Sequence, residues 1–481
     1  MKSQINDVKT CIDMSLKVIR MYDWLLDLYV LDFFVDNHWY RLPKSWQKNL
    51  DEIALEQLGN ILSEKPTNHI FPLSLLALIA TVKALGLPRK NSKTIKKDVT
   101  QIADQCGTYS KIKNLFLKHV KLKKRHEVSV MAEIVTDVAL KSRCNAVIDF
   151  GSGLGHLVRM LAYKNKLYTA GIECQKQLTE EARKLDLEFE YTARKYTKEE
   201  FTPNLHRPIH YNISLSSHEQ LQHLPLPTHM TNYGLIGLHP CGDLGLLLLK
   251  HFICSDQVKF ICVVGCCYTK LTAEGYPISN YVKELKGDLS FVSREIACHA
   301  IEMYSERLRQ GLYEDLKVHA YRAALEKILV EHNPKLKHAP VRSLKHTQDL
   351  SFEKYCSLAV EKLCLRWPLP DVSARDVSAG EVSARDVSVQ GVSARDVSAR
   401  DVSARDVSAC GVSAGAEKVR EWRRVVVVYT LRLALAPLVE TVLLLDRLLF
   451  VLEHGLSCEI RPIFDPKLSP RNHVIIATKP N

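Results

Sequence analysis

Apolar residues recur along the first part of the chain at a spacing of three and four. Ile12, Leu16, Ile19, Tyr22 and Leu26 form one such stripe, which predicts a helix burying a single face. Leu42-Pro43-Lys44-Ser45-Trp46 interrupts the pattern and predicts a loop. Residues 71–85 predict another apolar helix, stopped by Gly86 and Pro88. From His126 the pattern changes. Val128, Met131, Val135 and Val138 share a helix face. Short β-type runs follow at 146–150, 168–173, 209–213, 233–239 and 260–265, with helical stretches such as 154–163 and 175–187 between them. Strand–helix alternation of this kind predicts an α/β fold, a parallel sheet covered on both faces. Residues 295–365 read as mostly helix, clearest over 321–330.

Residues 371–415 are nine five-residue units, from Asp371-Val372-Ser373-Ala374-Arg375 to Gly411-Val412-Ser413-Ala414-Gly415. A period of five matches neither helix nor strand, so no face accumulates. The expectation is a disordered low-complexity insert. The alternative, a pentapeptide-type β-solenoid, wants a small residue where Arg recurs. Beyond the insert the chain is strongly apolar again, with a helix over about 424–454. Two β runs follow, 458–464 and 473–478, joined by Asp465-Pro466-Lys467-Leu468-Ser469-Pro470. This is the form of a last helix plus a closing hairpin. Four regions result: a helical N-terminal region with a basic segment (1–120), a core with a helical insertion (121–365), the repeat insert (371–415), and a C-terminal helix and hairpin that complete the sheet (417–481). Within 425–452 lie Arg432, Glu440, Asp446 and Arg447. Each would cost roughly 2.5–3.5 kcal/mol in hydrocarbon, so a core helix is expected rather than a membrane span.

The length of 481 residues suits two or three domains, and 46% apolar with 25% charged residues is ordinary for a globular protein. The net charge of +12 is concentrated: 83–125 holds thirteen Lys or Arg against Asp98 and Asp104. Such a run suits an anionic partner, with RNA the leading candidate, or else is a solvated basic face. Fourteen cysteines without any C-x-x-C pair suit buried thiols in a reducing compartment. The N-terminus has no signal-peptide apolar region. The cytoplasm is the default address, and the nucleus is compatible with it.

The strongest motif is Val147-Ile148-Asp149-Phe150-Gly151-Ser152-Gly153-Leu154-Gly155-His156. An apolar strand enters a glycine turn and then a helix, and the glycines let backbone amides approach a ligand. Glu173 ends the next strand, where a carboxylate can accept both hydroxyls of a ribose. A dinucleotide and S-adenosylmethionine fit this logic alike. Asp149 favours the second, because an acid before the first glycine repels a pyrophosphate but can face the methionine ammonium. Cofactor contacts are therefore expected from Asp149, Gly151, Ser152, Gly153, Gly155 and Glu173. A turn with no ligand is the bland alternative.

Leu238-His239-Pro240-Cys241-Gly242-Asp243 closes a later strand, and Val263-Val264-Gly265-Cys266-Cys267-Tyr268 closes the next. Ligands in open α/β sheets sit beyond the carboxyl ends of strands. His239 and Asp243 are thus candidate catalytic groups, and Tyr268 a candidate wall of the acceptor pocket. A helix cap by Asp243 with packed His and Cys neighbours is the bland reading. His239, Cys241, Cys266 and Cys267 are also zinc-type ligands, but vicinal cysteines chelate one tetrahedral ion poorly, and no metal is expected.

These motifs together resemble the methyltransferase-like protein 25 family, whose relatives have also been named ribosomal RNA adenine dimethylase domain-containing. The resemblance rests on Lys123-Lys124-Arg125-His126-Glu127, the glycine motif from Asp149 to His156, Gly237 to Asp243, Gly265-Cys266-Cys267-Tyr268-Thr269-Lys270-Leu271, Cys298-His299-Ala300, His319 to Glu326, and Ser469-Pro470-Arg471-Asn472. Leu42-Pro43 with Trp46 is similar too. It implies a Rossmann-like seven-stranded methyltransferase core, S-adenosylmethionine as cofactor, and a helical N-terminal region. The His-x-Cys-Gly and Cys-Cys pairs also look like those of a transfer-RNA ribose methyltransferase family. Adenine dimethylation uses an Asn-x-Pro-aromatic turn after the fourth strand, and this chain has His239-Pro240-Cys241-Gly242 there. The repeat insert departs from the family pattern.

Overall fold

The structure, a computed structural model, describes residues 2–63, 65, 68–90, 120–196, 206–215, 217, 219–265, 267–344, 350–363 and 415–480. Residues 91–119 of the basic run, Cys266 and 371–414 of the repeat insert lie outside the described residues.

One seven-stranded sheet organises the fold, in the order β3-β2-β1-β4-β5-β7-β6. The strands are β1 (Ala146–Phe150), β2 (Tyr168–Glu173), β3 (Ile209–Asn212), β4 (Tyr233–Gly237), β5 (Val258–Val264), β6 (Ser457–Pro462) and β7 (His473–Thr478). The first five run parallel, β7 pairs antiparallel with β5, and β6 closes a hairpin on β7. β1 and β4 are buried at every position. That is why their sequences are mostly apolar runs, broken in β1 by Asp149, rather than alternations: helices cover both faces. The chain order reverses between β1 and β4, which opens a crevice at their carboxyl ends.

The elements follow the hydrophobic pattern, with shifts at their ends. The helix Leu122–Lys141 buries Val128, Met131, Val135 and Val138 as expected. The first helix stops at Met21, and Leu26 is buried instead on a separate short helix, Asp23–Leu26. The loop expected around Pro43 is the start of a helix, Lys44–Leu50, with Trp46 buried in it. Proline breaks a helix interior but is tolerated where a helix begins, because its missing N–H is not needed there. β4 ends at Gly237 rather than His239, since Pro240 has no N–H to donate and the Cys241 N–H turns back to the His239 carbonyl at 2.8 Å.

Contacts group the chain into two compact units. The first comprises Met1–Tyr22, Val82–Glu302 and Ala436–Asn481, and holds the sheet; the second comprises Asp23–Thr81 and Met303–Leu435. This grouping cuts across the boundaries at 120 and 365 read from the sequence. The long helix Trp422–Glu453 contributes residues to both. Its ionisable groups are each engaged. Within the first unit Asp446 accepts the Ile278 and Ser279 N–H groups at 2.9 Å, and Arg447 donates to the Leu443 carbonyl. Glu440 pairs with Arg89. Within the second unit Arg432 donates to the Leu26 carbonyl. Among the described residues no helix is long and apolar enough to cross a membrane.

Candidate functional site at the carboxyl ends of β1, β2, β4 and β5

The turn after β1 is built for a close backbone approach. Gly151, Gly153 and Gly155 have φ of +73°, +56° and +68°, the left-handed region that disfavours side chains. A Cβ on Gly153 would meet nothing within 4 Å, whereas one on Gly155 would strike the His210 ring at 2.5 Å. Gly153 thus borders open space, and Gly155 is required for packing. Behind Gly155 lies a buried polar cluster: Arg159 donates to Asp186 at 2.6 Å, and His210 Nε2 lies 2.7 Å from the same carboxylate. This cluster fixes the helix that follows the turn against β3.

Asp149 sits one residue from the end of β1, between Gly171 of β2 and Ile236 of β4. It is 4% exposed, and its Oδ1 has no hydrogen-bond partner. Burial pushes its carboxyl up to about 8; Lys124 pulls it down and Glu173 adds to the rise. A buried acceptor left unmade costs on the order of 1–3 kcal/mol, so its position calls for a donor. Ser152 Oγ is buried without a partner as well. Glu173 is held differently. Its Oε2 accepts the Gly153 N–H at 3.0 Å and its Oε1 accepts the Gln175 N–H at 3.0 Å. The carboxylate is thereby fixed beside the glycine turn, with lone pairs to spare. An unpaired carboxyl, open space at Gly153 and an oriented second carboxylate fit a ligand with an ammonium group and a ribose.

His239 lies just past the end of β4, and its carbonyl is 3.8 Å from where a Gly151 Cβ would be. Its side chain is 40% exposed, and its Nε2 is 3.3 Å from Oε2 of Glu127. Glu127, 2% exposed, also accepts the Ser469 hydroxyl at 2.6 Å and lies 3.6 Å from Lys123. Burial alone would raise the Glu127 carboxyl, but His239, Ser469 and Lys123 hold it below its ordinary value. A buried carboxylate therefore orients the exposed imidazole. Sequence reasoning gave Glu127 and Ser469 no role. Their signal was their presence in the Lys-Lys-Arg-His-Glu and Ser-Pro-Arg-Asn motifs, without any hint that the two converge.

Asp243 and Tyr268 are placed differently from expectation. Asp243 stands at the start of the helix Leu244–Cys254, but its side chain does not cap it; it accepts the Thr272 N–H at 3.0 Å and the Thr272 hydroxyl at 2.7 Å. It ties the turn after β4 to the turn after β5. Tyr268, expected to wall the acceptor pocket, has no exposed surface, and its hydroxyl donates to Glu440 at 3.2 Å. The cause is the backbone at Cys267, whose φ of +47° feeds a 3-10 turn that directs Tyr268 inward. Glu440 in turn pairs with the guanidinium of Arg89, which also binds Glu302 and the Pro470 carbonyl. Arg89 belongs to the basic run of the sequence, yet it is a half-buried charge held between two carboxylates.

Of the quartet weighed for zinc, His239 engages Glu127 and the Cys241 thiol donates to the Cys267 sulfur at 3.0 Å. Among the described residues the one group spaced to hold a metal is elsewhere, in the second unit: Asp32, Glu326 and His338. There His338 Nε2 lies 2.9 Å from both Asp32 oxygens, an ion-pair arrangement that satisfies the carboxylate.

Residues 123–274 match the family model described as a methyltransferase domain. The chain is 26% identical over 306 residues to a human protein named "Probable methyltransferase-like protein 25", covering 60% of this chain and 43% of the relative. A mouse protein of the same name is 26% identical over 261 residues, covering 51% and 37%. The chain thus spans less than half the length of these relatives. No solved structure gives a significant match. The segment that matches the methyltransferase domain model contains the glycine turn, Asp149, Glu173, Glu127, His239, Asp243 and Tyr268, and over about half of its length the chain is similar to these methyltransferase-like proteins.

Proposed function

We propose that this chain transfers a methyl group from S-adenosylmethionine to RNA. The observation that carries the cofactor assignment is Asp149: a buried, partnerless carboxyl oxygen beside a glycine turn that borders open space. Bound there, the cofactor would supply an electrophilic methyl carbon. Asp149 would face its ammonium, the backbone of Gly151 to Gly155 would line the methionine end, and Glu173 would accept the ribose hydroxyls. On the acceptor side, His239 accepts the acceptor's proton or orients the acceptor, and Glu127 fixes the imidazole ring. Holding two reactants in line can supply about 7–11 kcal/mol of the barrier, so the chain's own contribution is mainly orientation. Asp243 and Tyr268 act through the loops: the first joins the two turns, and the second anchors the β5 turn to Glu440.

RNA is favoured as acceptor by the charges at the start of the helix Leu122–Lys141. Lys121, Lys123, Lys124 and Arg125 stand on the same element as Glu127, and Lys124 is close enough to Asp149 to lower its carboxyl. Labelled-methyl transfer into total RNA and total protein from cells lacking the protein tests the acceptor. Label in RNA supports the reading. Label in protein alone assigns a protein acceptor, and cofactor binding with label in neither assigns a non-catalytic scaffold. A gel-shift titration against small RNA at two salt concentrations is the binding test. Affinity should fall with a slope of roughly −0.7 per phosphate contact, and neutralising the four basic residues should flatten it. No retained RNA at either salt removes RNA as the partner.

A further inference from the structure

The turns after β4 and β5 carry a second chemistry. Gly237 of β4 and Val263 of β5 are register partners. Cys241 lies four residues beyond the first, and Cys267 four beyond the second. Equal offsets from paired positions bring the two sulfur atoms to 3.0 Å, with the Cys241 thiol donating to the Cys267 sulfur. Both residues are half-buried, within reach of small solutes, while Cys144, Cys262, Cys356 and Cys458 are buried. The contact is held from both sides. Asp243 accepts two hydrogen bonds from Thr272, and a Cβ on Gly242 would be 2.9 Å from the Lys270 carbonyl oxygen. Cys267 is kept in the left-handed region, at φ +47°.

We propose that Cys241 and Cys267 are a reversible oxidation site, closing to a disulfide that joins the two turns beside His239. The sulfurs must approach by about 1 Å to reach the roughly 2.05 Å of a disulfide bond. The oxidant is a hydroperoxide. One thiolate attacks a peroxide oxygen; the O–O bond breaks, the sulfur becomes a sulfenic acid, and the alcohol (water, from hydrogen peroxide) leaves. The second thiol then displaces the hydroxyl, the S–S bond forms, and water leaves with the thiol proton. Two thiols and one hydroperoxide thus give a disulfide, one alcohol and one water, and the two electrons pass from sulfur to the peroxide. A reducing dithiol reverses the step by exchange.

The site stands whether or not the chain transfers methyl groups, and its test does not use methyl transfer. The full chain is treated with one equivalent of hydrogen peroxide, alkylated, digested and mapped by mass spectrometry without reduction. A peptide pair linked through Cys241 and Cys267 is expected, with loss of the alkylation at both residues. A dithiol added before alkylation should restore it. The link should persist in Cys266→Ser and vanish in Cys267→Ser. Full alkylation of Cys241 and Cys267 after peroxide overturns the proposal. So does a link made through Cys266, or one to Cys241 that survives in Cys267→Ser.

Discussion

Asp149→Asn separates cofactor recognition from packing, because the substitution keeps the shape and removes the titrating proton. The carboxyl of the unliganded protein is pushed up to about 8 by burial. If the bound ammonium must face an ionised carboxylate, binding expels that proton. At pH 7 a group titrating near 8 is ionised in about one molecule in eleven, and the apparent affinity is reduced by that fraction. The penalty is about 1.4 kcal/mol, or about tenfold in Kd. Between pH 6 and 7, where the ligand's ammonium keeps its proton, Kd should fall about ninefold, and about 0.9 proton should be released per ligand at pH 7. Calorimetry in two buffers of different ionisation enthalpy reads that release directly. Asp149→Asn should lose both the affinity and the pH slope. Stability should move the other way. The folded state holds this proton more tightly than the unfolded chain, whose carboxyl titrates near 3.8. The associated stability is full below that value and lost as pH rises through about 8. At pH 9 the unliganded Asn variant should therefore melt above the wild type. Proton release near zero at pH 7, or an Asn variant that binds like wild type with the same slope, refutes the assignment.

Gly153→Arg should abolish binding of S-adenosylmethionine and of its demethylated product, at a cost to the fold of about 1–2 kcal/mol for a side chain at φ of +56°. A Cβ there meets nothing within 4 Å, so the longer side chain enters the space assigned to the ligand; unchanged calorimetric affinity would sink the cofactor site. Arg89→Ala leaves Glu302 and Glu440 facing one another without their guanidinium, and should cost roughly 3–5 kcal/mol in denaturant unfolding. A loss under about 1 kcal/mol would show that the cluster is solvated. Deleting residues 371–410 should leave folding and cofactor binding unchanged, since loop length enters stability only logarithmically. Ending the chain at Leu369 should abolish both, because it removes β7 from beside β5; a soluble, cofactor-binding fragment 1–369 would contradict this.

What the sequence made legible was local. The glycine turn, the acid before it and the acid that ends β2 lie within one strand–turn–helix–strand unit, and strand burial on both faces wrote itself as mostly apolar runs. The closing hairpin was legible because two β runs flank a Pro-rich turn, even across the repeat insert. Direction and distance were not legible. Tyr268 follows the end of β5, so adjacency suggested a pocket wall; a single left-handed residue, Cys267, sends it to Glu440 instead. Arg89 sat in a run of cations and was read as part of a field. Only the fold shows that Glu302 and Glu440, over two hundred residues further on, enclose it.

The acceptor side proposed above is assembled from segments far apart in the chain. Glu127 comes from the helix before β1, His239 from the turn after β4, and Ser469 from the hairpin loop after the repeat insert. Burial works against a charged Glu127, and the three groups around it outweigh that effect. Each interaction therefore reports on the others. Removing the Ser469 hydroxyl leaves one carboxylate oxygen short of its donor, which weakens the case for a charged Glu127 and so its hold on His239. Charge-assisted hydrogen bonds of this kind are roughly twice as strong as neutral ones. The His239 ring, through Glu127, is thus positioned by a residue more than two hundred positions beyond it, on the hairpin that also completes the sheet through β7. Orientation of the exposed imidazole depends on the C-terminal segment being in place, which makes the proposed acceptor side a property of the completed fold.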